Sequence, residues 1–403
     1  MEIDKGKLEN NIWKLYLYET LYSLMFYTPI IVLFYQSNGL KLTQIMILQS
    51  ISSIVWILAE IPTGHFADVI GRRKSLLLTG IFATLAMTIY AFGNSFFYFL
   101  FAVLSWALAG AFVSGADSAF MYDNLKALGR EHSYKKVWGN ATFFYLIGVA
   151  VASIVGGFLG GHNLRYPFFA MIPFYLLLIL VSLSFYEPKH ISDLTTKNSI
   201  FNSLGLIKKA IFHNKEIRWL LIYSAIITSA ISVSYWLYQP YLKLSGLSIV
   251  YFGLVFASFN LISAVSAKYS HILEEKLGRK VSLASLFILT SLGYLLMGKI
   301  IFIFSFVFAF TFQFVSGFSS VVISDYVHKE IDSSVRATTF SIKSFIDHIF
   351  YVLMAPMVGW IVDVYTLPQA LMVMGVIVGV VGCIIIGAMM FPAKEFSNRK
   401  QSE

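Results

Sequence analysis

The sequence contains few charged side chains, few prolines and almost no cysteine. Charged residues make up 13% of its 403 residues, there are 9 prolines, and Cys383 is the single cysteine, which excludes an intramolecular disulfide. An ATP-driven pump and a zinc-dependent intramembrane protease are excluded as well, because neither G-x-x-x-x-G-K-S/T nor His-Glu-x-x-His occurs. An aspartyl intramembrane protease would need a Gly-x-Gly-Asp element to accompany Asp123, and that element is absent too. No catalytic or metal-binding residues are therefore expected.

Long apolar runs are what the chain has instead. With 58% hydrophobic residues and a mean hydropathy of +0.73, it exceeds what a soluble core can bury. A transmembrane helix needs about 20 apolar residues. Runs of that kind lie near residues 12–36, 43–66, 75–93, 96–122, 137–160, 165–186, 217–240, 248–270, 281–298, 301–327, 338–362 and 368–391. We therefore predict an all-α integral membrane protein with twelve transmembrane helices.

The positive charges are distributed unevenly between the two ends of these runs. With the amino terminus inside the cell, all but four of the 30 Lys and Arg residues fall in cytoplasmic segments. The four external ones are Lys41, Arg165, Lys243 and Lys299. Such a bias is the positive-inside signature of membrane proteins. It explains the net charge of +9 without nucleic acid. It predicts a multi-pass protein of a cell membrane, of the bacterial inner-membrane type, with both termini in the cytoplasm.

The longest polar stretch divides the spans into two groups of six. The predicted organisation is a six-helix bundle at 1–186, a cytoplasmic linker at 187–215, a second six-helix bundle at 216–391 and a cytoplasmic tail at 392–403. The two groups also share short sequences. Gly71-Arg72-Arg73-Lys74-Ser75-Leu76 reappears as Gly278-Arg279-Lys280-Val281-Ser282-Leu283, and Ser114-Gly115 with Asp123 matches Ser316-Gly317 with Asp325. These matches predict a parallel repeat of six helices with a substrate site between the halves.

The segment from Gly64 to Lys74 resembles the cytoplasmic signature loop of the major facilitator superfamily. In that family the loop lies between spans two and three and has the pattern Gly-x-x-x-Asp-Arg-x-Gly followed by basic residues. In this sequence Val69 stands in place of the arginine. The resemblance implies two pseudo-symmetric six-helix bundles, alternating access, and a cytoplasmic latch that breaks as the protein turns inward. The residues that match the latch are Gly64, Asp68, Gly71, Arg72, Arg73 and, on span four, Asp123. Positive-inside anchoring is the simpler role for part of the basic residues.

A second pattern resembles the drug:proton antiporters of that superfamily, which carry glycines in span five. Gly156, Gly160 and Gly161 match it, whereas Ala152 and Gly157 depart from it. Close helix packing by small residues accounts for the same glycines.

Four carboxylates lie in the cytoplasmic third of the predicted spans, where ionisable groups are costly and mark functional sites. Glu19, Glu60, Asp117 and Asp347 are therefore the candidates for proton coupling. Lys343, four residues before Asp347, predicts a structural ion pair there, and capping is the alternative role for Glu60 near its helix end. Glu19 and Asp117 have no basic neighbour within one turn, so we prefer them. Interhelix hydrogen bonding and direct substrate binding are their alternatives.

Aromatic and polar side chains at helical spacing line single faces of spans one, four, seven and ten. The substrate-cavity candidates are Tyr22, Phe26, Trp106, Tyr235, Gln239 and Gln313. The wall they predict is largely apolar, which favours a hydrophobic or amphiphilic small molecule over a sugar.

The sequence therefore predicts a monomeric secondary transporter that exports such a compound in exchange for protons, with the proton gradient as its energy source and no cofactor. Proton-coupled uptake and a lipid-like flippase are the alternatives within the same fold. A non-transporting receptor or scaffold is the alternative from another class.

Overall fold

The computed structural model describes residues 4–187, 215–331 and 336–390, and the regular secondary structure of that part of the chain is helical. The predicted linker, apart from its two end residues, lies outside the described residues. The predicted tail at 392–403 lies outside them as well.

The first half of the chain makes six membrane crossings with eight helices. These are α1 (Lys5–Ser23), α2 (Ile31–Ser37), α3 (Leu42–Ile70), α4 (Arg72–Phe92), α5 (Phe96–Val113), α6 (Ala116–Ala127), α7 (Tyr134–His162) and α8 (Tyr166–Ser184). Two crossings are each built from two helices, α1 with α2 and α5 with α6.

The described second half contains five further helices. These are α9 (Lys215–Leu244), α10 (Phe252–Lys299), α11 (Phe310–Lys329), α12 (Arg336–Val364) and α13 (Leu367–Met390). Helix α10 holds two crossings, because the chain turns within it at Gly278, whose φ is 73°. Gly71 takes the same place between α3 and α4, with a φ of 121°. Both turns use a backbone conformation that a side chain would strain.

Length and composition single out 10 helical stretches of the described residues as able to cross a membrane. One of them, Ile249–Lys299, contains two crossings. The first crossing is not among the 10, because α1 begins in polar residues and ends before a long apolar stretch has formed. Together these give twelve crossings. The predicted all-α, twelve-span fold is confirmed.

The first span is broken, although its sequence predicts a continuous helix. The chain leaves α1 at Leu24 and becomes helical again at Ile31. Pro29 lies in this break, and its missing N–H removes a hydrogen bond that a continuous helix would need.

The fourth span is broken as well. Helix α5 ends at Val113 and α6 begins at Ala116, with Gly115 at a φ of 75° between them. Glycine enters this left-handed region without the steric cost that a side chain adds. The break places Asp117 in the first turn of α6 rather than in the middle of a long helix.

Contacts divide the described chain into two compact units. The first contains residues 4–187 and 246–258, and the second contains the other described residues. In the first unit α4 packs against α5 and α8, α3 against α5, and α1 against α7. In the second, α9 packs against α12 and α11. The segment 246–258 groups with the first unit because Ile249–Tyr251 packs against α7.

Buried tyrosines make the same contact inside each unit. Tyr18 of α1 donates a hydrogen bond of 3.2 Å to the carbonyl of Leu76 on α4. Tyr223 of α9 donates one of 2.8 Å to the carbonyl of Leu283 on α10. Each hydroxyl thereby satisfies a polar group that burial would otherwise leave unpaired.

Close helix packing repeats too. Gly110 of α5 lies against Trp56 of α3, and Gly317 of α11 lies against the backbone of Ser263 on α10; a Cβ atom on either glycine would clash. Residues 56 and 263, and residues 110 and 317, are each 207 positions apart. Gly71 and Gly278 have the same spacing, which fixes the register of the repeat from spans two to four.

The match of Ser114-Gly115 with Ser316-Gly317 is therefore wrong. Gly115 breaks its span at a positive φ, whereas Gly317 lies inside α11 and allows a close helix contact. The counterpart of Gly317 is Gly110. The sequence match failed because two identical Ser-Gly dipeptides occupy non-equivalent positions, where their glycines have different structural roles.

Candidate functional site

The turn between α3 and α4 brings the signature residues to the end of α6. Arg72, the first residue of α4, forms an ion pair with Asp123 of α6 and a longer one of 3.8 Å with Asp68 of α3. The Arg72 side chain is 13% exposed and that of Asp68 is 69% exposed. Because so exposed a pair contributes little to stability, Asp123 is the main partner of Arg72. The three residues that the sequence selected form one cluster within the first unit.

A carboxylate that the sequence assigned to the linker completes this cluster. Glu187 follows α8 and accepts backbone hydrogen bonds from Arg72 (2.7 Å) and Arg73 (3.1 Å) at the start of α4. An anion there satisfies N–H groups that the helix leaves free and complements the helix dipole. The Arg73 guanidinium donates in turn to the carbonyls of Ser182 and Leu183 at the end of α8.

The chain that leaves α8 is also tied to α1 and α6. The Asn11 side chain hydrogen bonds both the N–H (3.0 Å) and the carbonyl (2.7 Å) of Tyr186, and it donates to Asn124 at 2.8 Å. Lys14 donates to the carbonyl of Ser184 at 2.7 Å. The start of the linker is thus fixed to three elements around the signature turn.

The two signature glycines have different structural reasons. Gly71 has a positive φ, and a Cβ atom there would lie 3.0 Å from the Glu187 carboxylate. Gly64 lies inside α3 with nothing within 4 Å of its Cβ position. The turn therefore requires Gly71, and no contact among the described residues explains Gly64.

The second unit contains a corresponding arginine cluster. Arg279 pairs with Glu330 at 3.1 Å and with Glu216 at 3.5 Å. Positions 279 and 330 follow positions 72 and 123 by the same 207 residues.

The counterpart of Asp123 is therefore Glu330, and its assignment to Asp325 was wrong. Asp325 pairs with Lys329 one turn further along α11, at 2.6 Å. An i, i+4 neighbour of opposite charge is the nearest available partner on a helix surface. The error follows from the misplaced Ser-Gly match, which shifted the register by five residues.

Glu19 and Asp117, the preferred coupling candidates, lie on α1 and α6, which pack against one another within the first unit. Glu19 is only 6% exposed, and its Oε1 atom has no hydrogen-bond partner among the described residues.

The surroundings of Asp117 differ from those of Glu19. Asp117 lies in the first turn of α6, and its Oδ1 accepts the N–H of Ser118 at 2.5 Å. The positive end of the helix dipole and an aligned donor both favour a negative charge at this place. The pair therefore combines one acid with an unpartnered buried oxygen and one acid whose charge is supported.

The two other acids have local partners. Glu60 is exposed and accepts a hydrogen bond of 3.4 Å from Ser114 at the break between α5 and α6. Asp347 accepts from Lys343 at 2.8 Å, with 12% and 18% of their side chains exposed. The ion pair that the i, i+4 spacing predicted is formed.

The sequence profile of the Major Facilitator Superfamily matches residues 20–346. The chain belongs to the major facilitator superfamily. Its signature turn lies where that family has one, between the second and third spans. Because the family consists of membrane transporters, this chain is a multi-pass membrane transporter of a small molecule and not an enzyme.

This major facilitator chain is similar to known transporters along most of its length. It is 24% identical over 357 residues to the MFS-type transporter YxaM of Bacillus subtilis (strain 168), covering 87% of this chain and 88% of the relative. It superimposes on a mutant of the nucleoside transporter NupG with a TM-score of 0.81 at 15% identity, over 94% and 99% of the two chains. For a bacterial homologue of the human lysosomal transporter Spinster the TM-score is 0.69 at 15% identity, over 95% and 97%. At these identities the solved structures show the fold alone.

The cavity candidates of the first unit of this transporter belong to an aromatic cluster. Tyr22 stacks on Trp106 with 6.0 Å between ring centroids, and Trp106 stacks on Tyr175 at 6.1 Å. Phe26 meets Phe174 edge to face at 5.7 Å. Tyr22 and Phe26 are buried. Such ring contacts are geometrically specific and contribute beyond the area they bury.

Two candidates of the second unit, Gln313 and Tyr235, contact Tyr238, which the sequence did not select. Gln313 donates to the Tyr238 hydroxyl at 3.2 Å, and the Tyr235 ring lies 6.3 Å from the Tyr238 ring. Gln239 is fully buried. The spacing of Ser234 and Tyr238, whose hydroxyls are 2.7 Å apart, was the available signal for this residue.

The glycines of α7 serve close packing within the first unit. A Cβ atom on Gly156 would lie 1.9 Å from the Phe26 carbonyl oxygen, and one on Gly157 would lie 2.6 Å from the backbone nitrogen of Gly253. Packing by small residues, the simpler of the two explanations for this pattern, therefore accounts for them. Membership in the antiporter group stays a prediction.

Proposed function

We propose that this transporter exports a hydrophobic or amphiphilic small molecule in exchange for protons, as a multidrug-type antiporter that works by alternating access. The proton gradient supplies the energy, without a cofactor. The protein acts as a monomer in a bacterial-type cell membrane, with both termini in the cytoplasm. The observation that carries this proposal is the pair formed by buried Glu19 on α1 and half-buried Asp117 on α6, two helices that pack together.

The pair has the chemistry that proton coupling requires. A negative charge is costly where a buried carboxylate oxygen lacks a hydrogen-bond donor, as the Oε1 atom of Glu19 does, so we assign the coupling proton to this residue. The start of α6 supports the charge of Asp117. Two nearby acids in unequal surroundings can share one proton and release it when water or a cationic substrate arrives. Binding of a proton and binding of substrate then compete at one place, which is how antiport is coupled.

The signature cluster is proposed to control the cytoplasmic end of the first unit. Asp68, Arg72 and Asp123 form one ion-pair network, and Glu187 caps the helix that begins at Arg72. A network that ties α3, α4, α6 and the end of α8 together favours one arrangement of these helices. Its rupture would accompany the change of access.

The substrate class is inferred from the walls around the candidate residues. The first unit offers stacked rings of Tyr22 and Trp106, and the second offers Tyr235 with the amide of Gln313. Few polar groups stand among these apolar surfaces. A sugar would need many hydrogen-bond partners, whereas a planar or amphiphilic compound needs apolar area and few polar contacts.

Proton-coupled uptake is the second candidate, because the same acid pair can drive either direction. Solved relatives of the same fold are described as nucleoside and peptide transporters. A lipid-like flippase is the third possibility for an apolar wall. The direction of proton-driven flux separates the first two, and the chemical nature of the transported probe separates the third.

Gradient-driven transport by inverted membrane vesicles tests the proposal. A panel of cationic and neutral dyes is supplied outside vesicles with an acidic lumen, with and without a protonophore. We expect the wild-type protein to accumulate at least one dye only while the gradient exists. Glu19→Gln and Asp117→Asn should each reduce accumulation to the protonophore level, while downhill dye exchange persists.

Asp325→Asn is the matched control, since it also removes one carboxylate but from an exposed ion pair at the end of α11. It should retain wild-type accumulation. If both coupling variants still concentrate dye, the coupling assignment is wrong. If accumulation occurs only in right-side-out vesicles with acid outside, the protein is an importer.

A further inference from the structure

Helices α10 and α11 of the second unit enclose an apolar groove that the proposed transport chemistry does not use. Its volume is about 510 Å³. Apolar residues that line it include Leu261, Val265, Ile272, Phe314 and Phe318. Such a lining favours a hydrocarbon ligand, because the lining offers almost no hydrogen-bond partners to a polar one.

The polar groups of the groove are few and lie in a definite order. Ser266 donates its hydroxyl hydrogen to the carbonyl of Phe314 at 2.7 Å, so its donor is already used. Tyr269 follows, with half of its surface exposed. Lys276 stands at the end nearest the Gly278 turn. The groove is thus apolar along its length and cationic at one end.

Lys276 is available to an anion. None of the hydrogen bonds or ion pairs formed within the described chain involves it. Two acids, Glu274 and Glu275, directly precede it in the sequence. Glu274 accepts a hydrogen bond of 2.6 Å from the Tyr326 hydroxyl. Neither acid stands three or four residues from Lys276, the spacing at which helical charges pair. The nearby Arg279, in contrast, is engaged by Glu216 and Glu330.

The dimensions suit one lipid chain. The lining residues on α10 run from position 261 to position 276, which at 1.5 Å per residue is about 22 Å. One leaflet of a bilayer has about 15 Å of hydrocarbon, half of the ~30 Å core. The groove therefore reaches from the interface past the bilayer centre, and its cationic end lies on the side that the charge distribution predicts to be cytoplasmic.

We propose that this groove binds an anionic phospholipid of the cytoplasmic leaflet, with an acyl chain along α10 and the headgroup phosphate at Lys276. A basic group at the cytoplasmic end of an intramembrane crevice is the usual setting for such recognition. A zwitterionic lipid would fill the groove equally well, but its headgroup carries no net charge for Lys276 to attract.

Lipid binding to the purified, delipidated protein tests this. Phosphatidylglycerol or phosphatidylcholine with identical chains is titrated in, and thermal stability and bound lipid by native mass spectrometry are recorded. We expect the wild-type protein to prefer phosphatidylglycerol. Lys276→Gln should weaken binding of that lipid about fivefold and leave phosphatidylcholine unchanged, as expected for the loss of one interfacial cation.

Two further variants separate the groove from general basicity. Lys280→Gln removes the same charge from the next turn without touching the groove, and it should bind phosphatidylglycerol within twofold of the wild type. Val265→Trp fills the groove from a half-exposed position and should weaken binding of both lipids. The proposal would be overturned if Lys276→Gln and Lys280→Gln weakened phosphatidylglycerol binding equally. It would also be overturned if the wild type bound both lipids with equal affinity, or if Val265→Trp bound them as tightly as the wild type.

Discussion

Acids in this transporter differ sharply in how their charge is supported. Asp123 and Asp347 have basic partners, and Asp117 has a helix amino terminus with an aligned N–H. Glu19 has neither a base nor a donor at its buried Oε1 atom. This contrast between Glu19 and Asp117 is the reason for proposing them as a coupling site rather than a structural pair.

The two signature carboxylates should differ in how much each contributes to stability. Asp68→Asn removes only a long, exposed ion pair, so the free energy of unfolding should change by less than about 1 kcal/mol. Asp123→Asn deprives the nearly buried Arg72 of its main partner and should cost about 1–3 kcal/mol. Thermal unfolding in detergent and dye transport by vesicles measure the two effects.

Both variants should lose transport, since both disrupt the network that ties α3, α4 and α6 together. Full transport by Asp68→Asn would remove the gating role of the signature turn. Equal stability of the two variants would show that Arg72 does not depend on Asp123.

Part of this cluster was predictable from sequence, and part was not. Asp68, Arg72 and Asp123 were found because a motif fixes their spacing and opposite charges attract. Glu187 was missed because it contacts backbone N–H groups, which have no sequence signature of their own. Its one signal was its place directly after the last apolar residues of span six.

Helices were predictable as elements, and their breaks were not. Twelve runs of about 20 apolar residues must become helices, since lipid leaves no other partner for the backbone. Hydropathy measures side-chain polarity and carries no information about backbone dihedral angles. The breaks at Pro29 and Gly115 therefore could not be seen within continuous apolar runs. The second break determines the surroundings of Asp117, which is why the asymmetry of the acid pair could not be foreseen.

Glycines of α7 give a matched test of helix packing. Gly156→Ala would push a methyl group into the Phe26 carbonyl and should destabilise the protein by about 1–3 kcal/mol. Gly139→Ala lies on the same helix with nothing within 4 Å, and it should stabilise by up to about 1 kcal/mol through helix propensity. Thermal unfolding of the two purified variants provides the comparison. Similar shifts in both would contradict the packing role of Gly156.

At the scale of the whole molecule, the distribution of positive charge predicts one orientation in the membrane. The charge bias predicts that the turn after α4 is external and the turn before α7 is cytoplasmic. Asn94 and His132 are exposed positions in those two turns. Cys383→Ser removes the single native thiol and so provides a background for labelling.

In that background, Asn94→Cys should react with a membrane-impermeant maleimide in intact cells. His132→Cys should react only after the membrane has been permeabilised. The opposite pattern would invert the proposed topology, and with it the side assigned to the signature turn.

The constant spacing of 207 residues has a practical consequence for every substitution made in this protein. Arg72 and Arg279, Asp123 and Glu330, and Gly110 and Gly317 are pairs of equivalent positions in the two halves. Each substitution at one position can therefore be matched by the equivalent substitution 207 residues away in the other half. If only one half performs a role, the two equivalent substitutions will reduce transport by different amounts. If both halves share the role, the two substitutions will reduce transport equally.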